Sequence, residues 1–207
     1  YGVSIPLDDT NTIPRQNEIY LAHELVVLLE NDTSSAFNGF VKMLGRGSGY
    51  VSQSFLVEAF LKHLSAKGIW SDAVEMLKSG DQRYKYVAHE LLAYMAAVRF
   101  TLKSIWPVEI EDKPSSVLCK TTGVGAIISL LKDVHLAMSN KDVKEMKENA
   151  FSPLVYAKTI TFFVDFLKPL QPHGETLFAL KGEFARGAGS GMQNSLYVRM
   201  KEILGIK

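Results

Sequence analysis

Apolar residues recur at helical spacing through most of the chain, and this pattern constrains the fold more than any other feature. The longest stripe covers residues 81–106, about seven turns, with apolar positions at Tyr84, Val87, Leu91, Tyr94, Met95, Val98, Leu102 and Ile105. Shorter stripes and their flanking Ser, Thr, Pro and Gly residues predict helices over residues 16–30, 53–66, 71–80, 121–140, 141–149, 153–167 and 192–203. The sequence therefore predicts a mainly α fold of seven to eight helices around one long central helix.

One stretch departs from the helical period. Residues 40–44 and 50–51 are short apolar segments on either side of a glycine-containing loop, which is typical of a β-hairpin. Ser52 is then placed to cap the helix that follows. We expect residues 1–15 to be an N-terminal arm or linker and residues 16–207 to form a single helical domain. The Pro-rich and acidic stretch over residues 107–116 marks a candidate subdomain boundary.

Charge and cysteine content limit the class of protein. The chain has 23 Lys and Arg residues against 22 Asp and Glu residues, a net charge of +1, so net charge alone excludes a strongly basic nucleic-acid binder. Cys119 is the single cysteine, which suits a reducing compartment. The N-terminus lacks the pattern of a signal peptide, and no stretch is long and apolar enough to span a membrane, so we expect a cytoplasmic protein. Because residue 1 is Tyr and not Met, we expect a piece of a longer chain.

Residues that could support catalysis do not form a motif. His-Glu pairs occur at His23 and His89, but a helical zinc-protease motif needs a second histidine four residues later, where Val27 and Ala93 stand. Cys119 follows two apolar residues and is typical of a core thiol. The sequence predicts no catalytic residue, no metal site and no cofactor.

Three short stretches are candidate anion or nucleic-acid sites. Lys42, Arg46 and Tyr50 place two cations and an aromatic ring around the predicted hairpin, which predicts either a solvated hairpin or a contact with nucleic acid. Lys120, Thr121, Thr122 and Gly123 begin a predicted helix, either as an N-cap with close helix packing or as an anion site. Arg186 precedes a glycine-rich run before the last helix, which predicts either a hinge or a phosphate cradle.

Three segments together resemble a known family. They are residues 28–37 (LLENDTSSAF) followed by residues 41–45 (VKMLG), residues 49–55 (GYVSQSF) and residues 118–126 (LCKTTGVGA). Their order and spacing resemble the helical part of DGQHR-domain proteins, relatives of the ParB-like group, over about residues 10–135. The Asp-Gly-Gln-His-Arg signature itself is absent, so no activity tied to that signature is carried over.

The resemblance implies a setting and a function. It implies that the chain is the C-terminal, helical portion of a longer protein from a family associated with bacterial DNA-modification and defence islands, including a regulator of DNA phosphorothioation. Our leading hypothesis is a non-catalytic helical module that binds DNA or a protein partner in a DNA-modification, defence or mobile-element setting. One alternative is an enzyme or binding domain that holds a phosphorylated small ligand at its glycine-rich helix starts. A second alternative is a structural module that forms homo-oligomers.

Overall fold

The computed structural model describes residues 12–45, 49–106, 116–185 and 189–206, and the fold is mainly α as predicted. Within these ranges eight α-helices have at least eight residues and a ninth, α8, has four. In chain order they are α1 (Thr12–Asn31), α2 (Gln53–Leu64), α3 (Ser71–Lys78), α4 (Tyr86–Thr101), α5 (Thr121–Ala137), α6 (Asn140–Glu148), α7 (Pro153–Leu167), α8 (Gly174–Leu177) and α9 (Ser190–Leu204). Short 3-10 turns occur at Gln82–Lys85, Val117–Cys119, Lys168–His173 and Glu183–Ala185.

The local start signals explain several helix boundaries. The hydroxyl of Ser52 accepts a hydrogen bond from the Phe55 N–H, so Ser52 is the N-cap of α2, as predicted. Pro153 stands at the first position of α7, where its missing N–H costs no helical hydrogen bond, and α7 has the predicted bounds.

Helix α4 is shorter at both ends than the stripe over residues 81–106 predicts. Asp81 accepts a hydrogen bond from the Arg83 N–H and begins a 3-10 turn, and α4 ends at Thr101. Tyr84 and Leu102 still pack against the core from these turns. The apolar spacing therefore extends past both ends of α4, because the residues of the flanking turns also cover the core and keep the helical spacing.

The predicted hairpin is instead a parallel pair of two-residue strands, β1 (Val41–Lys42) and β2 (Val51–Ser52). Val41 pairs with Val51, and both side chains are buried. Gly49 has a φ of +139°, and a Cβ there would collide with the backbone of Lys42, so only glycine permits this close approach. Both valines of this parallel pair are part of the core. The predicted β-hairpin would have paired the two strands antiparallel.

The core is centred on α4 and α5. Each helix buries most of its residues, and the Tyr94 hydroxyl of α4 donates to the Ile127 carbonyl of α5 across 2.8 Å. Helix α7 packs on α4, α9 packs on α5, and α2 packs on α1. The boundary predicted near residues 107–116 falls almost wholly outside the described residues. In the described ranges, no helix combines the length and apolar character that crossing a membrane requires.

Candidate nucleic-acid interface

Helices α5 and α9 run in the same direction and begin at the same end of the molecule. The Gln193 side chain of α9 lies against Gly125 of α5, where a Cβ would overlap it. Two turns later, Asp133 of α5 accepts a hydrogen bond from the Tyr197 hydroxyl at 2.6 Å and lies 3.2 Å from Lys201 Nζ. Because later residues of α5 contact later residues of α9, the two helices are parallel.

Helix α2 begins at that same end. Val51, just before α2, lines a small apolar cavity together with Leu118, just before α5. Further along, His63 Nε2 lies 2.9 Å from the Ile128 carbonyl oxygen of α5. We call the region formed by the strand pair and the first turns of α2, α5 and α9 the basic end.

The chain segments that build the basic end contain no acidic residue. Residues 33–57, 113–132 and 184–201 include eight of the 23 cationic residues and none of the 22 Asp and Glu residues. The net charge of +1 is therefore a sum over segments in which cationic and acidic residues are unevenly distributed. Local excess charge of this kind attracts anions even when the whole chain is nearly neutral.

Among the described residues, Lys42 and Lys120 are the cations of these segments that lie at the basic end, whereas Arg199 and Lys201 are on later turns of α9 and pair with Glu202 and Asp133. One carboxylate reaches the strand pair from outside these segments, because Glu30 of α1 accepts a hydrogen bond from the Val41 N–H at 2.9 Å.

Two cations of the basic end have no carboxylate partner. Lys42 on β1 is exposed and Lys120 at the start of α5 is half-buried, and no described carboxylate oxygen lies within 4 Å of either ammonium group. Elsewhere, Lys147 lies 2.6 Å from Asp72, and Lys158 bonds to two carboxylates. Lys42 and Lys120 are thus available to an external anion.

The N-termini of α5 and α9 also lack side-chain caps. Neither Lys120 nor Gly189, their N-cap residues, accepts a hydrogen bond from a first-turn N–H through its side chain. The first-turn N–H groups of a helix have no intrahelical partner and carry a partial positive charge. Parallel packing therefore places two uncapped helix starts near each other.

A shallow groove of about 400 Å³ opens beside Lys42. The Gln53 side chain accepts a hydrogen bond from the Leu44 N–H at 3.2 Å, which ties the turn after β1 to the start of α2. The groove is lined by Lys42, Met43, Leu44, Gly45, Ser52, Gln53 and Ser54. It has one cation, two hydroxyl groups and one amide side chain, and none of the described residues that line it is acidic.

The Tyr50 ring packs against the protein, whereas one prediction from the sequence placed it in contact with nucleic acid. Its ring stacks on Phe40, with centroids 5.4 Å apart and planes at 15°, and the side chain is half-buried. One ring face is therefore covered by protein. Arg46, predicted beside it, lies outside the described residues, as does Arg186 before α9.

In the predicted site at residues 120–123, only the first two residues face solvent. Lys120 is half-buried and Thr121 is exposed, whereas Thr122 and Gly123 are buried. A Cβ on Gly123 would collide with the Val117 carbonyl, so this glycine serves the close packing of α5 on the preceding turn. The packing interpretation holds for Gly123, and the anion interpretation is left with Lys120 and Thr121.

The histidines and the cysteine lie in different environments. His23 is exposed while His89 is buried, so the two similar His-Glu strings occupy different environments. Burial lowers the pKa of His63 to about 4 and also lowers the pKa of His89. Cys119 is buried. Across the described parts of the chain, no three His, Cys, Asp or Glu side chains are grouped to hold a metal ion.

Sequence reasoning missed two further lysines. Lys62 of α2 and Lys132 of α5 line a cleft between α2, α5 and α9. Lys132 is the last residue of the segment 113–132, which contains no Asp or Glu, so this sequence signal alone could have identified it. Lys62 carries no such signal, because only the packing of α2 on α5 brings it near Lys132.

No protein-family model, curated protein or solved structure matches the chain. The resemblance to DGQHR-domain proteins therefore stays a prediction.

Proposed function

We propose that the chain is a non-catalytic helical module of a DGQHR-like protein and that it binds nucleic acid through the basic end. Lys42 and Lys120 contact backbone phosphates, which fixes the position of the module without reading the sequence of bases. The observation that carries the proposal is the pair Lys42 and Lys120, since no described carboxylate oxygen lies within 4 Å of either ammonium group. The setting in bacterial DNA modification, defence or mobile elements is part of the same proposal and rests on the sequence resemblance.

The helix starts support this choice of ligand. Each helix N-terminus is equivalent to roughly +0.5 elementary charge, and phosphate groups bind to its N–H groups. Thr121 adds an exposed hydroxyl beside Lys120. Two uncapped helix starts, one of them at Lys120, together with Lys42 on the strand pair favour a polyanion over a neutral partner.

An electrophoretic mobility shift at low salt tests the proposal. We expect duplex DNA, single-stranded DNA or RNA of equal length to shift with the wild-type chain. The charge-reversal variant Lys42→Glu/Lys120→Glu is expected to lose the shift. Lys67→Glu/Lys103→Glu, at two exposed lysines outside the basic end, is the matched control with the same change in net charge and is expected to keep the shift. Absence of a shift with all three nucleic acids overturns the proposal, as does an unchanged shift in the double variant.

A further inference from the structure

The cleft between α2, α5 and α9 is a second, separate feature with a volume of about 270 Å³. It lies further along the helices than the basic end, at the level where His63 meets Ile128. Its lining combines cationic, amide, hydroxyl and apolar groups, and the polar ones that the site uses are Lys62, His63, Ser129, Lys132, Gln193 and Asn194. None of the described residues in this lining is acidic.

The charge of the cleft comes from two lysines on different helices. Lys62 and Lys132 are exposed, and neither ammonium group has a carboxylate oxygen within 4 Å in the described ranges. Asp133, the neighbour of Lys132, is already engaged by Tyr197 and Lys201. Two positive charges therefore line the cleft without a paired carboxylate among the described residues, and the Asp133 carboxylate next to it is held by the Tyr197 hydroxyl.

The polar groups around the lysines are held in place. Ser129 donates to the Gly125 carbonyl at 2.8 Å, and Gln193 Nε2 lies 3.4 Å from the Ser129 oxygen. Because a carbonyl only accepts, His63 Nε2 must carry the hydrogen that bonds to Ile128. With its pKa lowered to about 4 by burial, His63 is neutral at pH 7. Asn194 is exposed and its side chain makes no hydrogen bond within the described residues, so its amide can donate to a ligand.

We infer that this cleft binds a phosphomonoester, with Lys62 and Lys132 on the phosphate and the floor of Ala59, Ile128 and Tyr197 against the group that carries it. A phosphomonoester has a charge of about −1.5 to −2 at pH 7 and three acceptor oxygens, which matches two ammonium groups and an amide better than a single carboxylate does. A volume of about 270 Å³ is just below the ~300–1,000 Å³ of pockets for drug-sized ligands, so the carrier group is about the size of a sugar. The phosphate can belong to a free small molecule or to the end of an oligonucleotide.

Isothermal titration calorimetry with ribose 5-phosphate tests the site directly, with ribose as the ligand control. We expect ribose 5-phosphate to bind the wild-type chain and ribose to give no signal. Lys62→Gln and Lys132→Gln should each weaken binding about tenfold or more, since each removes one charge-assisted hydrogen bond. Lys103→Gln, outside the cleft, should leave the affinity unchanged. Both lysines are exposed, so these variants are expected to fold.

A second arm separates the two sources of phosphate. Oligonucleotides with a 5′-phosphate and a 5′-hydroxyl are compared by fluorescence anisotropy with the wild-type chain and with Lys62→Gln/Lys132→Gln. A preference for the 5′-phosphate that disappears in the double variant assigns the site to a nucleic-acid end, and binding of ribose 5-phosphate alone assigns it to a small molecule. If neither phosphate is preferred, or if the cleft variants bind as the wild type does, the inference is wrong. The lysines differ from those of the basic end, so this outcome is independent of the proposed function.

Discussion

Glu90 Oε1 of α4 lies 2.6 Å from His135 Nδ1 of α5, and both side chains are buried. The other oxygen of Glu90 accepts a hydrogen bond from the Trp70 indole N–H at 2.8 Å. Trp70 is the residue before α3, so one buried carboxylate links three helical elements. Both carboxylate oxygens have partners, which is what a buried acidic group requires.

Loss of this carboxylate should destabilise the fold strongly. Glu90→Ala leaves two buried groups, the Trp70 N–H and His135, without their partner, and we expect the free energy of unfolding to fall by about 3–5 kcal/mol. Glu90→Gln keeps an acceptor oxygen and should cost less. Urea denaturation measures the difference. Glu58→Ala, at an exposed position without an ion pair in the described structure, is the control and should change stability by less than about 0.5 kcal/mol. Equal stability of the two alanine variants would contradict this role for Glu90.

Two glycines in helices should respond oppositely to alanine. Gly123→Ala forces a methyl group into the Val117 carbonyl, and overpacking of this kind costs about 1–3 kcal/mol. Gly191→Ala in α9 meets no atom within 4 Å and should stabilise the chain by about 0.4–1 kcal/mol, because alanine restricts the unfolded state and favours the helix. Thermal unfolding should give a lower Tm for the first variant and an equal or higher Tm for the second. The reverse order is incompatible with the packing of α5 described above.

Stability should fall as the solution is acidified below about pH 6.5. Burial lowers the pKa of His63 from an ordinary 6.5 to about 4, so between these values the unfolded chain binds more protons than the folded chain. The free energy of unfolding then rises with pH, and this one group contributes about 2 kcal/mol between pH 5 and pH 7.5. The pKa of His89 is also lowered by burial, which acts in the same direction.

The variant His63→Gln separates the contribution of His63 to the pH dependence of stability from that of the other titrating groups. The glutamine amide can still donate to the Ile128 carbonyl but does not titrate, so the loss of stability at pH 5 should be smaller than in the wild type. Denaturant unfolding at pH 5 and pH 7.5 measures both proteins. An identical pH dependence in the variant and the wild type would show that His63 does not titrate as described.

The sequence was informative where a local signal determines local structure. Ser52 and Pro153 marked the starts of α2 and α7 correctly, because capping and the fixed φ of proline act within one turn. The ends of α4 were less certain, because Tyr84 and Leu102 keep the apolar spacing while lying in turns. Periodicity reports which side faces the core, and it does not report where the helical hydrogen bonds stop.

The candidate sites depended on tertiary packing that one sequence does not reveal. Lys42 and Lys120 are 78 positions apart in the numbering, yet the strand pair and the start of α5 share a cavity. The parallel direction of α5 and α9 is visible only from contacts between them, such as Gln193 against Gly125 and Tyr197 against Asp133. For the same reason, Lys62 and Lys132 could not be paired in advance, since only the packed helices show that they line one cleft.

The salt dependence of DNA affinity tests the central claim most directly. Each phosphate contact contributes a slope of about −0.9 to a plot of log K against log salt concentration for duplex DNA. We predict that fluorescence anisotropy with a duplex gives a negative slope for the wild-type chain and that Lys42→Gln/Lys120→Gln reduces its magnitude by about 1.8, the share of two phosphate contacts. A double variant with the same affinity and the same slope as the wild type would contradict the account of the basic end.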